Sequence, residues 1–400
     1  MKNSVQDNLL TIFLEGEISA QNVPTIQKEI DELVSANPGR EVLFDAAALT
    51  YISSAGLRML LATQKKIGKD KLTVRNVSKD VYEIFDITKF TSLMNIEKKM
   101  REISTDGAEI VGKGRSSTVY RIGPETIVKL YTRGVPLSKI KQEIDLAKKA
   151  FVAGIPTPIS YDLVTCDKSY GVVFEMLGEA DTVGRSITLH MDKFDEITRK
   201  FVDTYKIIHQ TDIKNLGGFH SLKDTWHSWA DGMHSEDGFD SRETESLHKL
   251  IDTVPDRSTM VHCDYHAGNV MYQKGEIVVI DMADIGYGHP IFDLAGNAFH
   301  ARYSGSETRQ KVHGMNQENM LRFYNTLLAM YFEAEDEERL GDIKTLLDAF
   351  GLLRGALFPR KHVQIAPELK AFHVEETRKH LFPRFDAIMK AAGRIDEFFK

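Results

Sequence analysis

The chain has 400 residues, 42% of them hydrophobic and 27% charged, with a formal net charge of −7. That length exceeds what one hydrophobic core commonly serves, so two domains are expected, and a charge spread without acidic or basic blocks argues against nucleic-acid and membrane partners. Apolar runs such as Leu9 to Leu14 and Ile277 to Ile280 are too short for a membrane span, no signal-peptide pattern opens the chain, and Cys166 and Cys263 lack CxxC spacing, so a reducing, cytoplasmic setting is expected.

Residues 1 to about 100 alternate strand-like and helix-like stretches. Strands are expected at Leu9 to Leu14, Glu41 to Phe44 and Leu72 to Val77, and helices at Pro24 to Ser35, Ser54 to Ile67 and Lys79 to Phe90. Pro24 fits a first helical position, and Ser53 and Ser54 fit an N-cap ahead of the apolar face Leu57, Leu60, Leu61. The small polar stretch Ser104-Thr105-Asp106-Gly107 marks a boundary, giving domains at 1–103 and 104–400.

From Ala108 to about Leu177 the pattern is mostly strands with one helix: Glu109 to Val111, Ser117 to Ile122, Thr126 to Leu130, the helix Leu137 to Val152, then Tyr161 to Thr165 and Tyr170 to Glu175. From about Met191 onward the pattern is helical. A strand-rich lobe (about 107–177) followed by a helical one (about 178–400) implies a cleft. In the helix Leu137 to Val152, the expected buried stripe is Leu137, Ile140, Ile144, Ala147 and Phe151, with Glu143 at its margin.

The strongest local signal is Val261-His262-Cys263-Asp264-Tyr265-His266-Ala267-Gly268-Asn269 followed by Ile277 to Asp281. If Lys274-Gly275 turns a hairpin between Val270 to Tyr272 and Glu276 to Ile280, Asn269 lies near Asp281. An amide oxygen beside a carboxylate suits Mg²⁺, whose shell is completed by water and nucleotide phosphates. Asp264, on the preceding loop, is placed to orient a substrate hydroxyl or take its proton, with His262 supporting the loop. Upstream, Gly112-Lys113-Gly114-Arg115-Ser116-Ser117 can fold over phosphates, because glycines let backbone amides approach closely. Lys129 can reach the α- and β-phosphates of ATP and pair with Glu143, although Asp145 is nearby. Val173 to Leu177, with Glu175 and Leu177, is expected to be a lobe connector that bonds an adenine edge.

With these motifs, residues 107 to about 300 resemble the aminoglycoside phosphotransferase and choline kinase branch of the kinase-like superfamily. His262-Cys263-Asp264 with Asn269 is similar to its catalytic loop, Asp281 stands at its metal-binding aspartate, and Gly286-Tyr287-Gly288-His289-Pro290 with Phe292-Asp293-Leu294-Ala295 is similar to the segment that follows. The resemblance implies an ATP- and Mg²⁺-dependent transfer to a small-molecule hydroxyl. Cys263 stands where glycine is common in that family, and His289 where an acid is common. Residues 5 to 100 have a second resemblance: Leu43-Phe44-Asp45 and Tyr51 to Arg58 are similar to the anti-sigma-factor antagonist (STAS) family, whose switch is a phosphorylated serine at a helix start. Alignment on Gly56 puts Ser54 there, with Ser53 where that family has an acid. The fold class implied is α/β and α+β in two domains: a STAS-type α/β sandwich, which would dock a protein partner, followed by a bilobal protein-kinase-like fold.

Other readings of the same residues stay open. His262, Asp264 and His266 alternate, so on a strand they would share a face fit for a transition metal. Gly112 and Gly114 would serve a plain turn, Ser54 a plain N-cap, and Lys129 and Glu143 a solvated surface. Asp293 would brace the helical lobe. His220 to His248, with Trp226 and Trp229, offers aromatics and acids suited to a cationic alcohol or amine, or else ordinary helix packing.

Overall fold

A computed structural model describes residues 1–114, 116–234, 238–334, 337–357 and 367–399. The chain divides into two compact units, residues 1–104 with 163–168, and residues 105–162 with 169–400.

The first unit is built on five strands in the order Asn3–Gln6, Leu9–Ile18, Glu41–Ile52, Leu72–Val77 and Asn95–Lys98. The outermost pair, Asn3–Gln6 with Leu9–Ile18, is antiparallel and the others run parallel. Parallel strands need crossovers, supplied here by the helices Val23–Ala36, Ser54–Ile67 and Lys79–Ile87. One core joins Leu10, Ile12, Phe44, Leu57, Leu60, Val74 and Phe85. Two strands run further than their apolar runs alone predict, and the helix expected at Lys79 to Phe90 stops at Ile87. Lys89 takes a left-handed φ of 61° there, which ends the first helix before a short second one, Phe90–Leu93. Gly56 has a steric reason: a Cβ there would fall 2.7 Å from side-chain carbons of Ile18 and of Ile52.

The first lobe of the second unit orders the strands Ser169–Glu175, Thr126–Tyr131, Ser117–Arg121 and Ile110–Lys113 side by side, all antiparallel. The helix Leu137–Val152 buries Ile140, Leu146, Ala147 and Ala150. The expected stripe is therefore rotated: Phe151 is 48% exposed, and Glu143 shares the face of Ile140, Ala147 and Ala150 by its i, i+3, i+7, i+10 spacing. The helical lobe has one core running from Phe201, Tyr205 and Trp226 to Phe292, Phe323 and Phe350. The helices Ile291–Arg302 and Glu337–Leu357 meet at glycines. A Cβ on Gly351 would lie 3.0 Å from the Phe299 amide nitrogen and one on Gly355 2.2 Å from the Phe299 ring, so small residues let the two backbones approach.

Candidate active site

The loop that carries Asp264 hangs between two short antiparallel pairs. Met260–Val261 pairs with Gly286–Tyr287, and Val270–Gln273 pairs with Glu276–Val279 in register Val270 to Val279. The hairpin turns at Lys274 and Gly275, whose φ angles of 50° and 87° are those of a two-residue turn matched to strand twist. Past the end of this ladder the Ile280 amide donates to the Asn269 carbonyl at 3.0 Å. Asn269 and Asp281 therefore stand at the same end of one hairpin.

Asp264 is held from several sides. Asn269 Nδ2 donates to its Oδ2 at 3.0 Å and to its carbonyl at 3.1 Å, and Arg354 Nη2 donates to its Oδ1 at 2.7 Å. Burial opposes ionisation of Asp264, but His266 and the Arg354 guanidinium outweigh it and hold the carboxyl well below the usual range. Asp264 is an anion throughout the neutral range, oriented and ready to accept a hydrogen bond.

The loop itself is braced from beneath. Asp293 Oδ2 accepts the His262 amide at 2.8 Å and lies 3.0 Å from His209 Nε2, and His209 Nδ1 lies 2.7 Å from the Tyr331 hydroxyl. His262 spends both ring nitrogens inside the loop, Nε2 toward the Ile280 carbonyl at 3.2 Å and Nδ1 accepting the Asp264 amide at 3.3 Å. It is therefore not available to the alternating metal triad; the side chains that converge instead are Asp264, His266 and His300, with ligand atoms within 4.8 Å of one another. His266 Nδ1 accepts the Gly268 amide at 3.1 Å, a loop-shaping bond. Cys263 and Asp281 both take left-handed backbone, at φ 67° and 65°, so Cys263 adopts a conformation that glycine reaches without strain.

Lys129 Nζ lies 2.6 Å from Glu143 Oε1 and 3.2 Å from Asp281 Oδ1. Burial alone would depress its pKa; Asp281 and Glu143 reverse that and raise it, keeping the ammonium charged. Asp145 instead pairs with Lys149 at 2.6 Å. The glycine-rich segment forms the connection between Ile110–Lys113 and Ser117–Arg121: Gly112 packs over Val119, the Gly114 amide donates to the Ser117 carbonyl at 2.9 Å, and Ser116 is exposed at the tip. Arg115 lies outside the described residues. Glu175 ends its strand and its Oε1 accepts the Ile159 amide at 3.1 Å. Leu177 is half-buried two residues on, and the intervening Met176 amide is already bonded to the Glu125 carbonyl at 2.9 Å.

His289, fully buried, accepts the Ile291 amide at 3.1 Å, and burial with the nearby Arg257 and His209 pushes its pKa down to about 3. It is a neutral packing residue. Trp226 is likewise core, packed on Phe292 at 4.8 Å. In the first unit, Ser53 is the N-cap, its hydroxyl accepting the Gly56 amide at 3.3 Å, and Ser54 is the exposed first residue of its helix.

Sequence reasoning missed Arg354. Its signal was the lone charge in the apolar run Ala349 to Leu357, where a cation is retained only with a buried partner.

Comparisons with known proteins agree with this architecture. Residues 107–339 match the phosphotransferase enzyme family (APH), and residues 1–103 match the STAS domain. A curated protein of Bordetella bronchiseptica named as an anti-sigma factor antagonist, BtrV, is 30% identical over 92 residues, 22% of this chain and 78% of that protein. A solved choline/ethanolamine kinase family protein from Mesorhizobium loti is similar in fold, with a TM-score of 0.51 at 13% identity over 72% of this chain and 92% of that one. An ADP-bound aminoglycoside phosphotransferase, APH(2'')-Ib, gives a TM-score of 0.48 at 16% identity, covering 76% of this chain and 98% of that one.

Proposed function

The chain belongs to the phosphotransferase enzyme family, with a STAS domain ahead of the catalytic unit, and we propose that it moves the γ-phosphoryl of ATP to a hydroxyl group of a small molecule in the presence of Mg²⁺. The observation that carries this reading is the convergence of Lys129, Glu143 and Asp281 on one ion-paired cluster, with Asn269 at the same end of the hairpin as Asp281 and Asp264 tied to Asn269 by its side chain.

The donor set fits magnesium. Asn269 commits its Nδ2 to Asp264, which leaves its Oδ1 as a neutral oxygen donor, and Asp281, at the same end of the hairpin, offers a half-exposed carboxylate; few hard oxygen ligands are what Mg²⁺ takes. When bound, the ion would neutralise charge on the phosphate oxygens. Lys129, held charged by Glu143, takes the α- and β-phosphate oxygens, and the turn of Gly112, Gly114 and Ser116 lies over the phosphates with its backbone amides. Glu175 and Leu177 border the adenine. Asp264 orients the acceptor hydroxyl for in-line attack and receives its proton as the oxygen–phosphorus bond forms.

A second reading is favoured by one observation: Ser54 is exposed at the start of a helix, where free amides accept a phosphate. In that reading the catalytic unit phosphorylates Ser54 or a protein partner of the STAS domain.

The test is Mg-ATP turnover by wild type and Asp264→Ala over small alcohols and aminoglycosides, with phosphate mapped on the protein. The first reading expects phosphate on a small acceptor, with a rate lowered on the order of 10²–10⁴-fold in the variant. Phosphate found on Ser54 alone favours the second reading, and an Asp264→Ala rate equal to wild type overturns both.

A further inference from the structure

Two helices outside the active site carry the same i, i+4 pair. His227 and Asp231 lie on Leu222–Asp231, and His248 and Asp252 lie on Ser241–Asp252. The pairs exchange partners between the helices. His227 Nε2 is 3.1 Å from Asp252 Oδ1, and His248 Nε2 is 2.9 Å from Asp231 Oδ1. A carboxylate at Nε2 fixes the tautomer that carries the proton there, leaving the lone pair on Nδ1. The two Nδ1 atoms face each other at 2.6 Å, with the rings 11° from parallel and their centroids 4.9 Å apart. At that distance either a shared proton, which makes the contact a hydrogen bond, or a metal ion lies between the two lone pairs.

We propose that His227 and His248 form a binding site for a divalent transition metal of the zinc class, which clamps the two helices together. Imidazole nitrogen suits such ions, and the arrangement of a carboxylate behind each histidine is the outer shell that orients metal-bound imidazoles. At Zn–N distances of about 2.0–2.1 Å, tetrahedral geometry needs the nitrogens about 3.3 Å apart, so each ring retreats by a few tenths of an ångström and tilts out of the head-on line that the two now share. The histidine side chains are 25% and 26% exposed, which gives the ion a way in and leaves room for water to complete its shell. The convergence of Asp264, His266 and His300 is the weaker candidate: Gly268 occupies His266 Nδ1, and the Arg354 guanidinium beside Asp264 repels a second cation.

The test is calorimetric titration of the metal-stripped full chain with ZnCl₂, alongside thermal unfolding with and without Zn²⁺. Wild type is expected to take up one equivalent and to unfold at a higher temperature when loaded. His227→Ala and His248→Ala lose that equivalent, while Asp231→Asn and Asp252→Asn, which keep both ligands, bind roughly 10–100-fold more weakly. No saturable uptake by wild type overturns the proposal, and so does uptake that survives in the double variant His227→Ala/His248→Ala. Neither readout depends on phosphotransfer.

Discussion

Asp264 and Arg354 are 90 residues apart in sequence and 2.7 Å apart in space. The same guanidinium nitrogen also donates to the Cys263 carbonyl at 2.8 Å, so one side chain braces the loop and, together with His266, keeps Asp264 charged. Arg354 is a positioning residue, and its removal has a signed consequence. Without the cation the Asp264 pKa rises, so the acid limb of kcat/KM against pH moves upward in Arg354→Gln. Arg354→Lys restores the charge but not the planar fork; it is expected to keep the limb low while lowering kcat. A limb that stays in place in Arg354→Gln would show that Arg354 does not act on Asp264. Breaking a buried pair also costs stability, roughly 3–5 kcal/mol, so the profile is to be measured at a temperature where the variant is folded.

At the scale of elements, the site depends on close approaches that only glycine permits. Gly184, in the helix Val183–Leu189, would carry a Cβ within 1.7 Å of the His313 carbonyl oxygen, and Gly268, next to Asn269, one within 2.2 Å of the Val312 carbonyl oxygen. Backbone, unlike the end of a side chain, does not move aside cheaply. Gly184→Ala is expected to destabilise by at least the ~1–3 kcal/mol typical of overpacking, read as a lower urea midpoint with the slope unchanged; an unchanged midpoint would mean that the 313 turn yields freely. Most elements were legible from pattern: the helix Ser54–Ile67 stands where its periodicity and its serine cap predict, and Leu137–Val152 where its periodicity does. The rotation of the second helix was not legible, because its apolar residues spread over neighbouring faces, and it is the core shared with the helical lobe that takes up Leu146, Ala147 and Ala150 and leaves Phe151 exposed. The break at Lys89 was also hidden, since a left-handed lysine leaves no mark in a hydrophobic pattern.

For the whole molecule, the buried core of the first unit is drawn wholly from Leu10 to Met94, although residues 163–168 also belong to that unit. Residues 1–103 expressed alone are expected to unfold in a single cooperative transition by circular dichroism; a chain with no transition would show that the unit needs residues beyond its own core. The sequence by itself determined the family of the second domain and the STAS domain ahead of it, and it pointed to Lys129, Asp264, Asn269 and Asp281 as the set that the proposed function uses. Those signals are local: a motif, a period, a turn. Tertiary structure alone decided that Arg354 holds Asp264, that His209 and Asp293 brace the Asp264 loop, and that His227 meets His248. These partners are separated by 21 to 90 residues, and nothing in the chain between them records which distant side chains packing will bring within hydrogen-bond distance.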